Sequence, residues 1–121
     1  MKKTKELGEF GEKIALDFLK KKGYKILEKN WKRKWAEIDL ICKKGKKFIF
    51  VEVRTLKDQD FHPQESLTPF KIKSLLRAVK LYLFEKRLFE VLWQVDFLFV
   101  EIKKDKMKIW HFENQIEDES C

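Results

Sequence analysis

Residues 91–102, which read VLWQVDFLFVEI, constrain the fold of this chain more than any other segment. The run is almost continuously apolar and has the residue types of a β-strand. A strand with one face in water alternates apolar and polar residues, whereas a strand buried on both faces does not. The sequence therefore predicts a central strand that is covered on both sides of its sheet.

The remaining elements follow from periodicity and from turn residues. Apolar residues recur at helical spacing over residues 5–22, and Gly23 follows as a helix stop. Thr68 before Pro69 is typical of an N-cap and first helical residue, and this helix would extend to about Lys86. Further strands are predicted at residues 24–27, 35–42, 47–55 and 107–112. The order α-β-β-β-α-β-β indicates an α/β fold, a mixed β-sheet flanked by helices.

Length and composition indicate one domain. A chain of 121 residues with 44% hydrophobic residues can bury one core, and we assign it to residues 1–116, with 117–121 as a loose tail. The basic start has no apolar segment behind it, and nowhere do 18 apolar residues run together, which predicts a cytoplasmic protein without a membrane partner. Cys42 and Cys121 are not expected to form a structural disulfide.

The charge points to a polyanionic partner. Lys and Arg number 28 against 20 acidic residues, a net charge of +8, which attracts nucleic acid at long range. A lysine-rich surface without such a partner, as in heat-adapted proteins, remains the alternative. The basic candidates for nucleic-acid binding are Arg33 and Lys34, in a segment flanked by Trp31 and Trp35, and a helical stripe of Lys73, Arg77 and Lys80.

Residues 36–55 predict a β-hairpin with one charged face. If Gly45 and Lys46 form a two-residue turn, Lys44 pairs with Lys47. Counting back along both strands then sets Asp39 opposite Glu52, and Glu37 opposite Arg54. The other face would be wholly apolar, and its pairs would be Ile38 with Val53, Leu40 with Val51, and Cys42 with Ile49.

Two interpretations of the charged face remain open. Opposed carboxylates repel each other, and a divalent cation such as Mg²⁺ would relieve this, because it takes oxygen ligands from one or two carboxylates. Alternatively, the face is solvated and Glu37 forms an ordinary ion pair with Arg54. Phe48 and Phe50 on the same face weigh against full solvation.

Three more residues have competing interpretations. Glu12 lies at the border of the first helix's apolar stripe, either in solvent or above Asp39 and Glu52; Gly8 and Gly11 beside it suggest that the helix approaches another backbone closely. Asp96 interrupts the apolar strand, and we expect it to cap a backbone group or pair with a lysine. His62 and His111 have no partner at recognisable spacing, and we interpret His111 as structural.

Several motifs together resemble one protein family. They are GEFGEKIALDFLKKKGYKILEKNW, AEIDLI, FVEVRT, SLTPFKIKSLLRAVKLYL and VDFLFV, and they cover roughly residues 5–116. In order and spacing they resemble the YraN family of bacterial proteins. That family is similar to archaeal-type Holliday junction resolvases and to the restriction-endonuclease-like PD-(D/E)xK nucleases.

The resemblance implies a restriction-endonuclease-like fold and a Mg²⁺- or Mn²⁺-dependent endonuclease acting on DNA, including branched DNA, rather than on RNA. It assigns Glu12, Asp39 and Glu52 as metal ligands, or as residues that position them. Arg54, two residues after Glu52 on the same face of the strand, would hold the phosphate. It also implies a homodimer, because junction resolvases act on substrates with two-fold symmetry.

Two positions depart from the superfamily motif. Ile38 stands at the proline position, which is a loose feature. Arg54 stands at the lysine position, and arginine remains protonated, so it cannot be a general base although it can stabilise charge on phosphorus. A nucleic-acid-binding module that keeps the fold without cleaving is therefore the alternative function.

Overall fold

The computed structural model describes residues 2–58 and 68–117, and His62 and Cys121 lie outside them. The elements are α1 (Lys2–Lys21), β1 (Lys25–Arg33), β2 (Ala36–Lys44), β3 (Lys47–Lys57), α2 (Pro69–Glu85), β4 (Leu92–Lys103) and β5 (Lys106–Glu117). This is the predicted order α-β-β-β-α-β-β. No helix among the described residues is long and apolar enough to cross a membrane.

The strands form one mixed sheet in the order β1-β2-β3-β4-β5. Strands β3 and β4 pair in parallel, and the other neighbours are antiparallel. Parallel strands cannot be joined by a tight turn, so α2 lies in the connection between β3 and β4. The predicted mixed sheet flanked by helices is confirmed.

Two apolar clusters cover the two faces of the sheet. Ala15 and Leu19 of α1 belong to the first cluster, with Leu40, Val51 and Leu98. The second contains residues of α2 together with Ile38, Phe50 and Phe99. Strand β4 contributes to both clusters and is buried from Trp93 to Val100, which confirms that it is a central strand covered on both faces.

The predicted hairpin register is correct near the turn and wrong further away. Cα pairs run from Lys44 with Lys47 to Leu40 with Val51, where the ladder ends. The expected pairs of Asp39 with Glu52, Ile38 with Val53 and Glu37 with Arg54 are not part of it. At the turn Gly45 has a φ of 62°, a conformation that glycine adopts without steric cost.

Ile38 also lies on a different face from the one predicted. It packs in the cluster that contains Ile41 and Phe50, whereas Leu40 and Cys42 belong to the cluster against α1. A spacing of three residues on one face departs from the strict alternation of a regular strand. The irregularity falls at Asp39 and Leu40, where β2 leaves β3.

Strand β1 is longer than predicted. It continues beyond residue 27 to Arg33 and carries Trp31 into the core, where 4% of its surface is exposed.

The predicted start of α2 is confirmed: the Oγ1 of Thr68 accepts a hydrogen bond of 3.2 Å from the Lys71 backbone N–H, and Pro69 is the first helical residue. A helix start of this kind satisfies one of the backbone donors that the first turn leaves unpaired.

Gly11 brings α1 close to β3. A Cβ at this position would overlap the side-chain hydroxyl of Thr55, so only glycine fits without a shift. A Cβ at Gly8 would meet nothing within 4 Å. The helix therefore does approach another element closely at Gly11, where the contact is with a side chain rather than with the predicted backbone, and it does not do so at Gly8.

Candidate metal and nucleic-acid site

The carboxylates of Asp39 and Glu52 meet where β2 and β3 part. The backbone N–H of Val53 donates a hydrogen bond of 2.8 Å to Asp39 Oδ2, so a side chain replaces the missing backbone acceptor of β2. Asp39 and Glu52 also share a side-chain hydrogen bond. Two carboxyl groups can do this only when one of them carries a proton.

Burial makes this pair hard to ionise fully. Burial and then the charge of Glu52 raise the pKa of Asp39 to about 8. Burial likewise raises the pKa of Glu52. The pair therefore holds a proton at neutral pH unless another cation takes its place, which is the electrostatic condition that favours a divalent metal.

Arg54 is the nearest cationic side chain of this hairpin. Its Nε lies 4.0 Å from Glu52 Oε2, and its charge partly offsets the rise in the pKa of Glu52 that burial causes. The side chain is 37% exposed, so its guanidinium remains accessible to an anionic ligand. The ion pair is with Glu52, whereas the sequence suggested Glu37.

Glu12 approaches the pair from α1. Burial and the charge of Asp39 raise the pKa of Glu12, and a hydrogen bond with the Asn30 side chain opposes this rise. Across residues 2–58 and 68–117, no group of three or more Asp, Glu, His or Cys side chains has the spacing to hold a metal ion. Glu12 is thus within electrostatic range of the pair but does not complete a three-carboxylate cage.

The donor set fits a hard divalent cation that is held by two carboxylates. Mg²⁺ is commonly bound by one or two carboxylates and fills its remaining positions with water and substrate phosphate. Asp39 and Glu52 would supply such oxygens from adjacent strands, next to the partly exposed Arg54. Glu37 lines the same small cavity as the pair and is itself exposed.

The predicted basic residues are exposed but are not gathered at one point. Arg33 binds Glu85, with its Nη2 2.9 Å from Oε1, and its guanidinium lies over the ring of Trp31. Lys34 is exposed in the turn between β1 and β2. The stripe on the outer surface of α2 is exposed as predicted and consists of Lys73, Arg77 and Lys80.

The two tryptophans that flank this basic segment have different environments. Trp31 packs edge-to-face against Tyr82 in the core, so it cannot stack on a nucleic acid as the pattern suggested. Trp35 is 80% exposed and lines a cavity with Phe70 and Lys71. Neither Phe70 nor Lys71 is among the predicted site residues; the available signal was an aromatic residue directly after the proline that starts the helix.

Asp96 and His111 form a separate buried network. Asp96 is fully buried and accepts hydrogen bonds of 2.8 Å from His111 Nε2 and from the Asn114 backbone N–H. Gln94 and Tyr24 also donate to it. The predicted backbone cap and the structural role of His111 are confirmed, while the lysine contact is indirect, because Lys22 donates to His111 Nδ1.

Comparison with known proteins identifies the family. Residues 11–100 match the uncharacterised protein family UPF0102. A UPF0102 protein of Syntrophomonas wolfei is 40% identical over 112 residues, covering 92% of this chain and 97% of its own. One from Flavobacterium psychrophilum is 40% identical over 94% of this chain and 96% of its own. The chain therefore belongs to the UPF0102 family, which is the YraN family that its motifs resemble.

Proposed function

We propose that this protein is a metal-dependent endonuclease that hydrolyses phosphodiester bonds in DNA. The observation that carries the proposal is the partly buried pair of Asp39 and Glu52, two carboxyl groups that share a hydrogen bond beside the partly exposed Arg54. A net charge of +8 supports a polyanionic substrate. Cys42, a buried free thiol, is compatible with action in the reducing cytoplasm.

Asp39 and Glu52 would hold Mg²⁺ or Mn²⁺. When bound, the ion would supply an activated water and neutralise charge on the phosphoryl oxygens. The Val53 N–H fixes the orientation of Asp39, so this ligand needs little reorganisation. Glu12 adds negative potential from α1, and Arg54 would hold a phosphate oxygen and stabilise the charge that develops on phosphorus.

The cleavage test uses purified protein with duplex, flap, four-way-junction and single-stranded DNA, in Mg²⁺, Mn²⁺ or EDTA. We expect cleavage only with metal, and its loss in Asp39→Asn and Glu52→Gln, which keep the size of each side chain. Asp17→Asn, an exposed change on α1, is the matched control and should cleave as the original chain does. Cleavage in EDTA, or unchanged cleavage in both site variants, would refute the proposal.

A binding module without cleavage is the second candidate, and Arg54 is the observation that favours it. Arginine stays protonated and cannot take a proton from water, unlike the lysine of the nuclease motif. This function predicts salt-sensitive DNA binding with no product in any metal. A preference for four-way junctions, together with a dimeric mass in solution, would support the branched substrate and the homodimer that the resemblance implies.

A further inference from the structure

A cavity of about 390 Å³ opens beside the carboxylate pair, on the side of the sheet that α2 covers. Leu75 and Phe97, which belong to the apolar cluster under α2, lie in its wall. Sites for small organic ligands usually have volumes of 300–1,000 Å³ and combine apolar walls with a few polar groups. The cavity is therefore large enough for a planar group such as a nucleobase.

Two exposed aromatic rings line this cavity. Trp35 is 80% exposed and Phe70 is 77% exposed, so both rings are open to a ligand. Aromatic rings are the side chains on which nucleic-acid bases stack in single-strand-binding proteins, because every base offers a flat face. The pair resembles a stacking site whose ligand is an unpaired base.

The backbone at Trp35 supports a ligand-binding role. Trp35 has a φ of 66°, in the left-handed region that bulky residues rarely adopt. Glycine or asparagine would be less strained in this turn between β1 and β2. Strained residues concentrate at binding sites, where the conformation presents a side chain to a ligand.

The charges around the cavity suit a phosphate next to the base. Its charged lining residues are four basic ones and two acidic ones: Lys32, Arg33, Arg54 and Lys71, and Glu37 and Glu52. A second cavity of about 330 Å³ contains the carboxylates of Asp39 and Glu52. The two cavities share Glu37, Glu52 and Arg54, so one nucleotide can place its base in the first and its phosphate at the second.

We propose that the cavity lined by Trp35 and Phe70 binds an unpaired nucleobase of the DNA strand whose phosphate lies at Asp39 and Glu52. This rests on the proposed function, since it takes the same strand as its ligand. A paired base inside a duplex cannot reach the cavity without being flipped out, which costs unstacking. The protein therefore selects single-stranded or flap DNA over intact duplex.

The test measures DNA binding without cleavage. A fluorescently labelled single-stranded oligonucleotide is titrated in EDTA at low salt, and fluorescence anisotropy gives the Kd. We expect Trp35→Ala and Phe70→Ala each to weaken binding about ten-fold or more. Phe84→Ala is the matched control, because Phe84 is 69% exposed at the other end of the same helix, and its Kd should change less than two-fold.

Two further probes separate stacking from charge and from loss of folding. An oligonucleotide with abasic sites keeps its phosphates but offers no base for stacking, so the original chain should bind it more weakly than the normal oligonucleotide. Trp35→Ala and Phe70→Ala should bind the abasic oligonucleotide with the same Kd as the original chain, because the missing rings have no base to contact. Trp35→Phe keeps an aromatic ring and should retain most of the affinity. Equal binding of the abasic probe, binding by both alanine variants as tight as the original, or no binding at low salt would overturn the proposal.

Failure of this inference can be distinguished from failure of the proposed function. If the original chain cleaves no DNA with metal but its DNA binding depends on Trp35 and Phe70, the nuclease is refuted and the base-binding cavity stands. Metal-dependent cleavage with binding that is indifferent to Trp35 and Phe70 would refute the cavity alone.

Discussion

Asp39 Oδ2 accepts a 2.8 Å hydrogen bond from the backbone N–H of Val53, just beyond the last paired residues of β2 and β3. The bond takes the place of a backbone carbonyl, so the strands can separate without leaving this amide unpaired. Separation gives room for two carboxylates in a region that is otherwise packed. The hydrogen bond thus links the end of the β-ladder to the chemistry of the site.

Asp39→Asn should stabilise the metal-free protein at high pH. The folded state raises the pKa of Asp39 from 3.8 to about 8, so it holds a proton that the unfolded chain has lost. Stability therefore falls as pH rises from about 4 to about 8, and the penalty is fully present above that window. Asparagine removes the charge and can still accept from Val53. We expect a gain of about 1–3 kcal/mol at pH 9 by urea unfolding.

The same comparison at pH 5 should show a smaller gain, because the carboxyl is then protonated in the folded protein. Asp17→Asn, on the exposed side of α1, controls for the loss of one acidic charge. Equal stability of Asp39→Asn and the original chain at pH 9 would mean that the carboxylates do not repel each other.

Metal affinity should rise with pH, whereas the stability of the metal-free protein falls. Mn²⁺ must displace the proton that the pair shares, so its affinity should rise as pH increases and level off above about pH 8. Isothermal titration calorimetry in two buffers of different ionisation enthalpy would detect the released proton. Glu52→Gln should abolish binding, and Glu12→Gln should weaken it only several-fold, because Glu12 acts through its charge. A pH-independent affinity would argue against ligation by this pair.

The proposed phosphate contact of Arg54 can be tested with one variant that removes its charge and one that keeps the charge but changes the shape of the side chain. If it holds a phosphate oxygen, Arg54→Ala should reduce the cleavage rate by about 10²–10³-fold, as expected for loss of a charged group that stabilises the transition state. Arg54→Lys keeps the charge and restores the residue of the nuclease motif, so we expect activity within about ten-fold of the original chain or above it. Cleavage unaffected by Arg54→Ala would remove this residue from the mechanism.

Gly11 should tolerate no side chain. A Cβ at this position overlaps the Oγ1 of Thr55, so Gly11→Ala should destabilise the fold by about 1–3 kcal/mol despite the better helix propensity of alanine. Gly8→Ala is the matched control and should stabilise it by up to about 1 kcal/mol, because no atom lies within 4 Å of the new methyl. Thr55→Ala should rescue much of the defect when it is combined with Gly11→Ala. Urea unfolding of the original chain, these two single variants and the double variant measures the coupling.

Asp96 should stabilise the fold with the opposite pH dependence to Asp39. Burial alone would raise the pKa of Asp96, but hydrogen bonds from His111, Asn114 and Gln94 hold it below its usual value. Its contribution is present above pH 3.8 and is lost as pH falls. Asp96→Ala should cost about 3 kcal/mol or more at pH 7, because buried donors lose their acceptor. The cost should shrink in acid; a pH-independent cost would indicate packing alone.

Local pattern predicted most of the fold. The periods of helix and strand, the Thr68 cap and the Gly45 turn all depend on neighbouring residues, and each was confirmed. The turn also fixed the strand register closely enough to bring Asp39 near Glu52. The separation of the strands at that point was not predictable, because it depends on a hydrogen bond between a side chain and the backbone of another strand.

Contacts between residues that are far apart in sequence account for the other differences between the predictions and the structure. Trp31 and Trp35 have similar neighbours in sequence, yet only Trp31 reaches Tyr82 of α2. His111 meets Asp96 because β4 and β5 pair, and Asn30 meets Glu12 because β1 lies beside α1. A count along one strand contains no information about which element packs above it.

The parallel pairing of β3 with β4 has a consequence for the order of folding. Among the described strands it is the one parallel pair, and it separates the meander of β1, β2 and β3 from the hairpin of β4 and β5. Antiparallel neighbours close short loops, whereas the parallel pair must wait for α2 to cross the sheet. Every carboxylate of the proposed site lies in the first 57 residues, ahead of that slow step.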